Sequence, residues 1–399
     1  MFKQIILLST VAFSAAIAMP VGAQSYPLSQ VIAHRGLFHS YYAANNVPEN
    51  SEGAVAQAAD FGLGGVELDL RLSSDGVPMV YHDLASNRGT LADGADGYYN
   101  AVNGYRGISK SPSAIAINSH TAAYWTYQDL KYYTKDGNMT WTQLHVDTLT
   151  DMLNFLGSYS GLWSNNQFKI IFDIQDPNLL LQTATRVQNL SAALKQHIYL
   201  KFFASKALFY QMEGRTFQYN GSEVCYAYAT YNHLQGLNII PQINDGELTA
   251  PETEDDSASI NAFGAQLYPS QYLQCWADAQ TQHNDAAKMS IVSASVPYGK
   301  PWATTAAQAA LDWAKSHGRQ TMTIVPNPDT SYNGSNGCNY LTFSSTPPYA
   351  IPFNSQARAA KNSFFEKNNT DYVITDVMNY EPQGWMVWDT NTYNSLMCK

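Results

Sequence analysis

The chain has 399 residues, a formal net charge of −10 at pH 7, and only 14% charged residues against 13% aromatic ones. An acidic protein is a poor candidate for binding the phosphates of nucleic acid, so we exclude nucleic acid as a partner. No segment after residue 23 is a long uninterrupted apolar run, which predicts no stable membrane span. We therefore expect a monomer that acts on small molecules.

The first 23 residues have the order of a secretory signal peptide. Lys3 gives a positive start, residues 5–19 are mostly apolar, and Val21-Gly22-Ala23 offers a small-residue cleavage site. Such a segment is removed from the mature protein. This pattern predicts a secreted or periplasmic protein whose remaining residues, 24–399, form a single domain.

Cysteine usage agrees with an oxidising compartment, where the four cysteines would form two disulfides. Sequence alone does not choose among the possible pairings, and buried free thiols are the alternative. The four positions are Cys225, Cys275, Cys338 and Cys398.

Short apolar runs alternate with helical patterns along most of the chain. This alternation indicates βα units and a parallel sheet, and about eight such units fit a (β/α)8 TIM barrel of the α/β class. The predicted strands are residues 31–33, 64–72, 168–176, 198–204, 224–229, 291–296, 321–325 and 372–375. The predicted helices are residues 49–61, 179–194, 206–213 and 304–316.

Three stretches interrupt this alternation. The longest, about 87–146, is rich in Gly, Tyr, Asn and Ser and has no sustained periodicity, so we predict a loop-rich insertion after the second strand region. Smaller loops are predicted at 231–258 and 326–356. From position alone, we hypothesise that three aromatic residues of the insertion, Tyr124, Trp125 and Tyr127, shape the substrate pocket.

Polar side chains follow the first two predicted strands. In a TIM barrel the carboxyl ends of the strands face the active site, and His34 and Arg35 end the first strand. Because side chains alternate along a strand, Glu67 and Asp69 share one face of the next strand and Leu68 takes the other. Two buried carboxylates repel each other, so the pair favours a hard divalent cation.

A second histidine and a third acid extend this group. Residues 77–81 form a short predicted strand that ends at His82-Asp83, so His34 and His82 bracket the carboxylates. Histidine titrates near neutral pH and suits proton transfer. Asp173 lies in an apolar run, where an acid is rarely buried without a partner, and is the natural third metal ligand. A metal with an arginine can hold a phosphoryl group, so this set predicts phosphodiester cleavage.

Short motifs appear in a specific order along the chain. They are HRG at 34–36, PEN at 48–50, ELD at 67–69, DG at 75–76, HDLASNRGT at 82–90, VDTLTDML at 146–153 and DYVITD at 371–376. Each is weak alone, but the complete order resembles the glycerophosphodiester phosphodiesterase family, a group within the phosphatidylinositol phosphodiesterase-like TIM barrels. The resemblance spans most of the chain after residue 23 and is dense only over 31–90.

The resemblance implies a TIM barrel with a small insertion, one divalent ion, either Ca²⁺ or Mg²⁺, and hydrolysis of glycerophosphodiesters to an alcohol and glycerol phosphate. The implied roles are acid and base for His34 and His82, metal ligation for Glu67 and Asp69, phosphate contact for Arg35, and support of the site for Glu49 and Asn50.

The third strand departs from the family pattern. The family usually carries Glu-x-Lys there, whereas this chain has Asp173-Ile174-Gln175. Asp173 can still bind metal, but Gln175 supplies no positive charge, and we expect Lys201 on the next strand to contact the phosphate instead. The departure also resembles sphingomyelinase D relatives, so phospholipase D-type cleavage of lysolipids to a cyclic phosphate is the alternative. A non-catalytic binding barrel is the third interpretation.

Overall fold

The structure of the chain is a computed structural model in which the described residues form a barrel with short additional sheets. The described residues are 24–38, 47–84, 86, 89–90, 99–100, 105–106, 115–133, 139–159, 161, 167–204, 233–244, 269–282, 287–295, 304–325, 329–333, 337–343, 350–352, 370–375 and 385–388.

The strands and helices of the described residues are as follows. The strands are β1 (Gln24–Pro27), β2 (Val31–His34), β3 (Gly65–Leu72), β4 (Pro78–Val80), β5 (Tyr99–Asn100), β6 (Tyr105–Arg106), β7 (Asp129–Tyr133), β8 (Met139–His145), β9 (Lys169–Ile174), β10 (Ile198–Phe203), β11 (Asn238–Asn244), β12 (Lys288–Met289), β13 (Ile291–Ser295), β14 (Gln320–Val325), β15 (Asp329–Asn333), β16 (Gly337–Phe343), β17 (Ala350–Pro352), β18 (Tyr372–Thr375) and β19 (Trp385–Trp388). The α-helices are Glu52–Asp60, Ala122–Trp125, Leu149–Ser158, Pro177–Gln188, Ala192–Lys195, Pro269–Gln282 and Thr304–Ser316, and the 3₁₀ helices are Leu28–Gln30 and Ile117–Ser119.

Eight of the strands run parallel and close into a barrel. In ring order they are β2, β3, β9, β10, β11, β13, β14 and β18. The ring closes where β18 pairs with β2, with Val373 opposite Val31. The predicted (β/α)8 TIM barrel is therefore confirmed by the strand pairing of the chain itself.

Alternation along the barrel strands separates two apolar layers. Val66, Leu68 and Leu70 of β3 are fully buried in the large core between the sheet and the helices. Ile171 and Ile240 belong to a second cluster inside the barrel. Because successive side chains point to opposite faces, the residues that alternate with the outer layer line the barrel interior.

Local signals place the helices after the strands. The helix Glu52–Asp60 begins at Ser51, whose side chain accepts a hydrogen bond from the Ala54 backbone N–H. Leu149–Ser158 begins with a capping box between Thr148 and Asp151. The helix predicted over 179–194 is instead two helices, Pro177–Gln188 and Ala192–Lys195. The Ser191 side chain caps the start of the second one.

Two segments predicted as loops contain strands. Residues 231–258 include β11, a strand of the barrel itself. Pro241 interrupts the apolar pattern of β11. It lies between Ile239, which pairs with β12, and Gln242, which pairs with β13. The N–H that proline lacks is therefore not needed for pairing with either of these two strands. Residues 326–356 include the antiparallel sheet of β15, β16 and β17, so these two loop predictions were wrong.

The insertion is also more ordered than its composition indicates. Within 87–146 the structure contains two antiparallel pairs, β5 with β6 and β7 with β8. Trp125 is fully buried in a small core with Met79 and Tyr81, and its indole Nε1 donates to the Ile117 carbonyl at 2.8 Å. The pocket role hypothesised for Trp125 was therefore wrong, since this side chain packs inside the insertion.

Several predictions fall outside the described residues. These are the signal peptide at 1–23, the helix at 206–213, the strand at 224–229 and the side chains of all four cysteines. Among the described helices, none combines the length and the apolar character needed to cross a membrane.

The outer layer of β3 provides a direct test of the barrel core. Leu68 is fully buried, so Leu68→Ala should lower the free energy of unfolding by about 2–5 kcal/mol through lost burial and a residual cavity. Leu84 is 68% exposed, and Leu84→Ala should change it by less than about 0.5 kcal/mol. Urea denaturation measures both, and equal effects would contradict the packing described.

Candidate active site

Three acidic side chains meet at the carboxyl ends of neighbouring barrel strands. Glu67 and Asp69 project inward from β3, and Asp173 of β9 lies in register with Asp69. One carboxylate oxygen of each residue lies within 4.8 Å of the others. The alternation argument therefore placed Glu67 and Asp69 correctly, and the structure brings the predicted third acid to the same point.

The donor set fits a divalent cation. Hard cations such as Ca²⁺ and Mg²⁺ take oxygen ligands at about 2.0–2.6 Å, so oxygens about 4–5 Å apart can share one ion. Glu67 is buried, and its Oε2 has no hydrogen-bond partner among the described residues. A buried carboxylate oxygen without a partner is costly, which favours a ligand for it.

Lys201 lies between two of these acids. Its ammonium Nζ is 2.7 Å from Glu67 Oε1 and 3.3 Å from Asp173 Oδ1, and the side chain is fully buried. Burial by itself lowers the pKa of Lys201, but the carboxylates of Asp173 and Glu67 raise that pKa above its ordinary value. Lys201 is thus a charged member of the site whose observed contacts are carboxylates, and its expected phosphate contact stays a prediction.

The two β3 acids experience opposite environments. Burial is the largest influence on Glu67 and raises its pKa, even though Lys201 acts in the other direction. Burial also acts to raise the pKa of Asp69, but His82 and Arg35, with further help from His34, hold that pKa far below its ordinary range. Of the two β3 acids, Asp69 is therefore the one that stays ionised more firmly.

The two predicted histidines flank this group from different elements. His34 ends β2, and its Nε2 is 3.8 Å from Glu67 Oε2. His82 follows β4, and its Nδ1 is 2.6 Å from Asp83 Oδ1. Asp83 is buried, so it holds the Nδ1–H tautomer of His82 and leaves Nε2 for chemistry.

The turn after β2 holds Arg35 and Asn50 against the acids. Arg35 Nη1 is 3.4 Å from both oxygens of Glu49, and its Nε is 3.5 Å from Asp69 Oδ2. Asn50 Nδ2 donates to Asp69 Oδ2 at 3.0 Å, while the Asp69 backbone N–H donates to Asn50 Oδ1 at 2.9 Å. Glu49 and Asn50 thus contact Arg35 and Asp69, and their supporting role stays a prediction.

Backbone strain accompanies these contacts. Arg35 and Asn50 have φ angles of 57° and 54°, in the left-handed region that is unfavourable for most side chains. Gly36 has φ of 81°, and a Cβ there would lie 2.6 Å from the Ala54 Cβ. The glycine of the HRG motif is therefore required by close contact with the following helix.

Sequence reasoning did not select two residues that lie at the site, Arg71 and Asp83. Arg71 continues the inward face of β3, its Nε donates to the His82 carbonyl at 2.6 Å, and its Nη1 donates to Gln175 Oε1 at 3.0 Å. The same alternation that selected Glu67 and Asp69 could have selected Arg71. Asp83 adjoins His82 in sequence, but its contact with the imidazole depends on the fold.

The family model and several curated relatives that the chain matches carry closely related names. Residues 34–217 match the family model described as "Glycerophosphoryl diester phosphodiesterase family". The chain is 44% identical over 63 residues to glycerophosphodiester phosphodiesterase 1 of Bos taurus, which is 16% of this chain and 17% of that protein. It is 42% identical over 64 residues to a glycerophosphodiester phosphodiesterase of Caldanaerobacter subterraneus, which is 16% of this chain and 24% of that protein. The chain thus matches about a sixth to a quarter of the length of these curated relatives.

Two solved structures that the chain matches carry related names. A glycerophosphoryl diester phosphodiesterase of Parabacteroides distasonis is 15% identical, with 91% of this chain and 92% of that chain covered and a TM-score of 0.43. A glycerophosphodiester phosphodiesterase of Agrobacterium tumefaciens is 14% identical, with 87% and 96% covered and a TM-score of 0.41.

The Asn50 contacts predict a specific pattern of stability. Asn50→Ala removes two buried hydrogen bonds to Asp69 and should lower the free energy of unfolding by about 2–4 kcal/mol. Asn50→Gly loses the same bonds but tolerates the left-handed backbone, so it should cost about 1 kcal/mol less than Asn50→Ala. Urea denaturation of both variants separates the effect of the lost hydrogen bonds from that of the backbone strain. A smaller loss of stability for the alanine variant than for the glycine variant would show that backbone strain is unimportant.

Proposed function

We propose that the protein is a metal-dependent phosphodiesterase of the glycerophosphoryl diester phosphodiesterase family, whose model matches residues 34–217. It cleaves glycerophosphodiesters to an alcohol and glycerol phosphate. One observation carries the proposal, namely the three carboxylate oxygens within 4.8 Å of one another at the barrel mouth. Two histidines and an arginine flank those oxygens, as phosphodiester cleavage requires.

The proposal includes the place of action. The basic start, the apolar run and the small residues at 21–23 have the pattern of an export signal. Removal of residues 1–23 would release a secreted or periplasmic enzyme. Such an enzyme would meet glycerophosphodiesters outside the cytoplasm.

Glu67, Asp69 and Asp173 would hold one divalent ion, either Ca²⁺ or Mg²⁺. When bound, the ion supplies positive charge that offsets the negative oxygens of the phosphodiester. Arg35 supplies the same kind of charge from the chain, since its guanidinium lies beside Asp69 and can pair with phosphate oxygens.

We assign the proton transfers from the partners of the two histidines. Asp83 Oδ1 accepts a hydrogen bond from His82 Nδ1 at 2.6 Å and so fixes the orientation of that imidazole. His34 Nε2 lies 3.8 Å from Glu67 Oε2, beside a carboxylate that is a metal ligand in this proposal. In the proposed mechanism His34 takes a proton from the attacking water, and His82 gives a proton to the departing alcohol as its bond to phosphorus breaks.

Metal dependence is the first test of this function. With glycerophosphocholine as substrate, the protein purified without residues 1–23 should release choline and glycerol phosphate, lose this activity in EDTA, and regain it with excess Ca²⁺ or Mg²⁺. Glu67→Gln should raise the metal concentration for half-maximal activity about 10-fold or more. Glu52→Gln, on the helix that follows β2, is the matched control and should leave the metal concentration for half-maximal activity unchanged.

Product analysis separates the proposed function from its alternative. Phosphorus NMR should show an open phosphate monoester as the product. A cyclic phosphate as the sole product would contradict hydrolysis and favour attack by a substrate hydroxyl. Absence of any release from either glycerophosphodiesters or lysolipids, in a folded and metal-loaded protein, would favour a binding barrel.

The Asp83 contact makes a further prediction about rate. Asp83→Asn should lower kcat by about 10²- to 10⁴-fold with little change in KM, because the carboxylate that orients His82 is lost. Asp83→Glu should recover part of the rate. Asp60→Asn, which changes an acid at the end of a surface helix, is the control. A normal kcat in folded Asp83→Asn would remove Asp83 from the mechanism.

A further inference from the structure

The barrel mouth has a second wall whose polar groups the proposed mechanism does not use. β11 and β13 lie four strands away from β2 and β3 in the ring of eight, so they face His34 and the acids across the barrel. Gln242 of β11 and Ser293 of β13 are neighbours in register. They are 4% and 0% exposed, respectively.

Alternation shows that both side chains point inward. Ile240 and Ile291, two residues earlier on each strand, belong to the apolar cluster inside the barrel. Ile243 and Val292, one residue away, belong to the outer core. Gln242 and Ser293 therefore line the interior, one inward step closer to the carboxyl ends than the isoleucines.

The strand register relates the position of Gln242 to the charged residues of the site. Ile240 is in register with Lys201 of β10, and Lys201 is in register with Asp173 of β9. Gln242 lies one inward step beyond that row, towards the mouth. It thus lies on the inner wall of the barrel, towards the end at which the acids lie.

Neither polar atom is satisfied within the part of the chain that the structure describes. The Gln242 Oε1 and the Ser293 Oγ are buried there without a hydrogen-bond partner. A buried amide oxygen or hydroxyl without a partner destabilises the fold, so such groups have a ligand or an ordered water. Both are uncharged, which suits a hydroxyl group better than an ammonium or a phosphate.

We propose that Gln242 and Ser293 bind the hydroxyl groups of the glycerol moiety of the substrate. This inference rests on the proposed function, and it adds that the glycerol end of the diester binds beside β11 and β13. The amide oxygen accepts a hydrogen bond from one hydroxyl, and the serine hydroxyl can accept from or donate to another. The phosphate then lies towards Arg35 and the acids, with the alcohol leaving group directed away from this wall.

Two diesters with the same leaving group test the proposal. Glyceryl p-nitrophenyl phosphate carries the two hydroxyls, whereas methyl p-nitrophenyl phosphate carries none. Gln242→Met and Ser293→Ala should each lower kcat/KM for the glyceryl ester about 10-fold or more, because partner hydroxyls are left unpaired. Both variants should change kcat/KM for the methyl ester less than about 2-fold. Gln308→Met, on the helix Thr304–Ser316, is the matched control.

A binding measurement and a stability measurement complete the test. Calorimetry of the metal-loaded protein should show weaker binding of sn-glycerol 3-phosphate to the variants, with binding of methyl phosphate unchanged. Because Gln242→Met removes a buried acceptor without a described partner, its thermal unfolding midpoint should equal or exceed that of the wild type.

The contrary outcomes are distinct. Equal losses on both esters would show a general structural effect and overturn the proposal. Unchanged kinetics and binding would show that these atoms hold only water, and would also overturn it. A folded, metal-loaded wild type that cleaves neither ester would instead overturn the proposed function, and the glycerol assignment with it.

Discussion

Mutual repulsion among three carboxylates at the barrel mouth is the constraint on which the rest of the site depends. Glu67 and Asp69 are buried, and Asp173 joins them from the neighbouring strand. Each negative charge removed from water needs a compensating charge or a hydrogen bond nearby. Lys201 and Arg35 supply part of that compensation from opposite sides of the group. One buried oxygen of Glu67 has no hydrogen-bond partner among the described residues, with His34 Nε2 3.8 Å away, and such an oxygen can ligate a cation.

The strained backbone beside the site follows from the same constraint. Arg35 and Asn50 adopt left-handed conformations that cost about 1–2 kcal/mol each for ordinary residues. In return, the Asn50 amide satisfies both the backbone N–H and the carboxylate of Asp69. The strain therefore holds an ionised acid in a fixed orientation, which is the usual reason such conformations persist at functional sites.

Local patterns in the sequence predicted the charged residues of β3 better than they predicted the strands on the opposite side of the barrel. A period of two along β3 was enough to place Glu67 and Asp69 on one face, because that argument needs no tertiary information. The contact of Lys201 with these acids depends on the register of three strands, which no single segment specifies. β11 was missed because Pro241 breaks its apolar run, although the sheet accommodates it at a change of partner. The small core around Trp125 was missed because its members follow no period.

The position of His82 has a consequence for how the site loses its order. β4, which precedes His82, is not a barrel strand; it pairs antiparallel with the outer end of β3. Behind it, Met79 and Tyr81 pack on the small core of the insertion rather than on the main core. Val80 of β4 packs in the main core, and Arg71 of β3 donates a hydrogen bond to the His82 carbonyl. His82 therefore depends on two cores, so a substitution in the small core of the insertion can displace this proton-transfer group without altering the strands that carry the three acids.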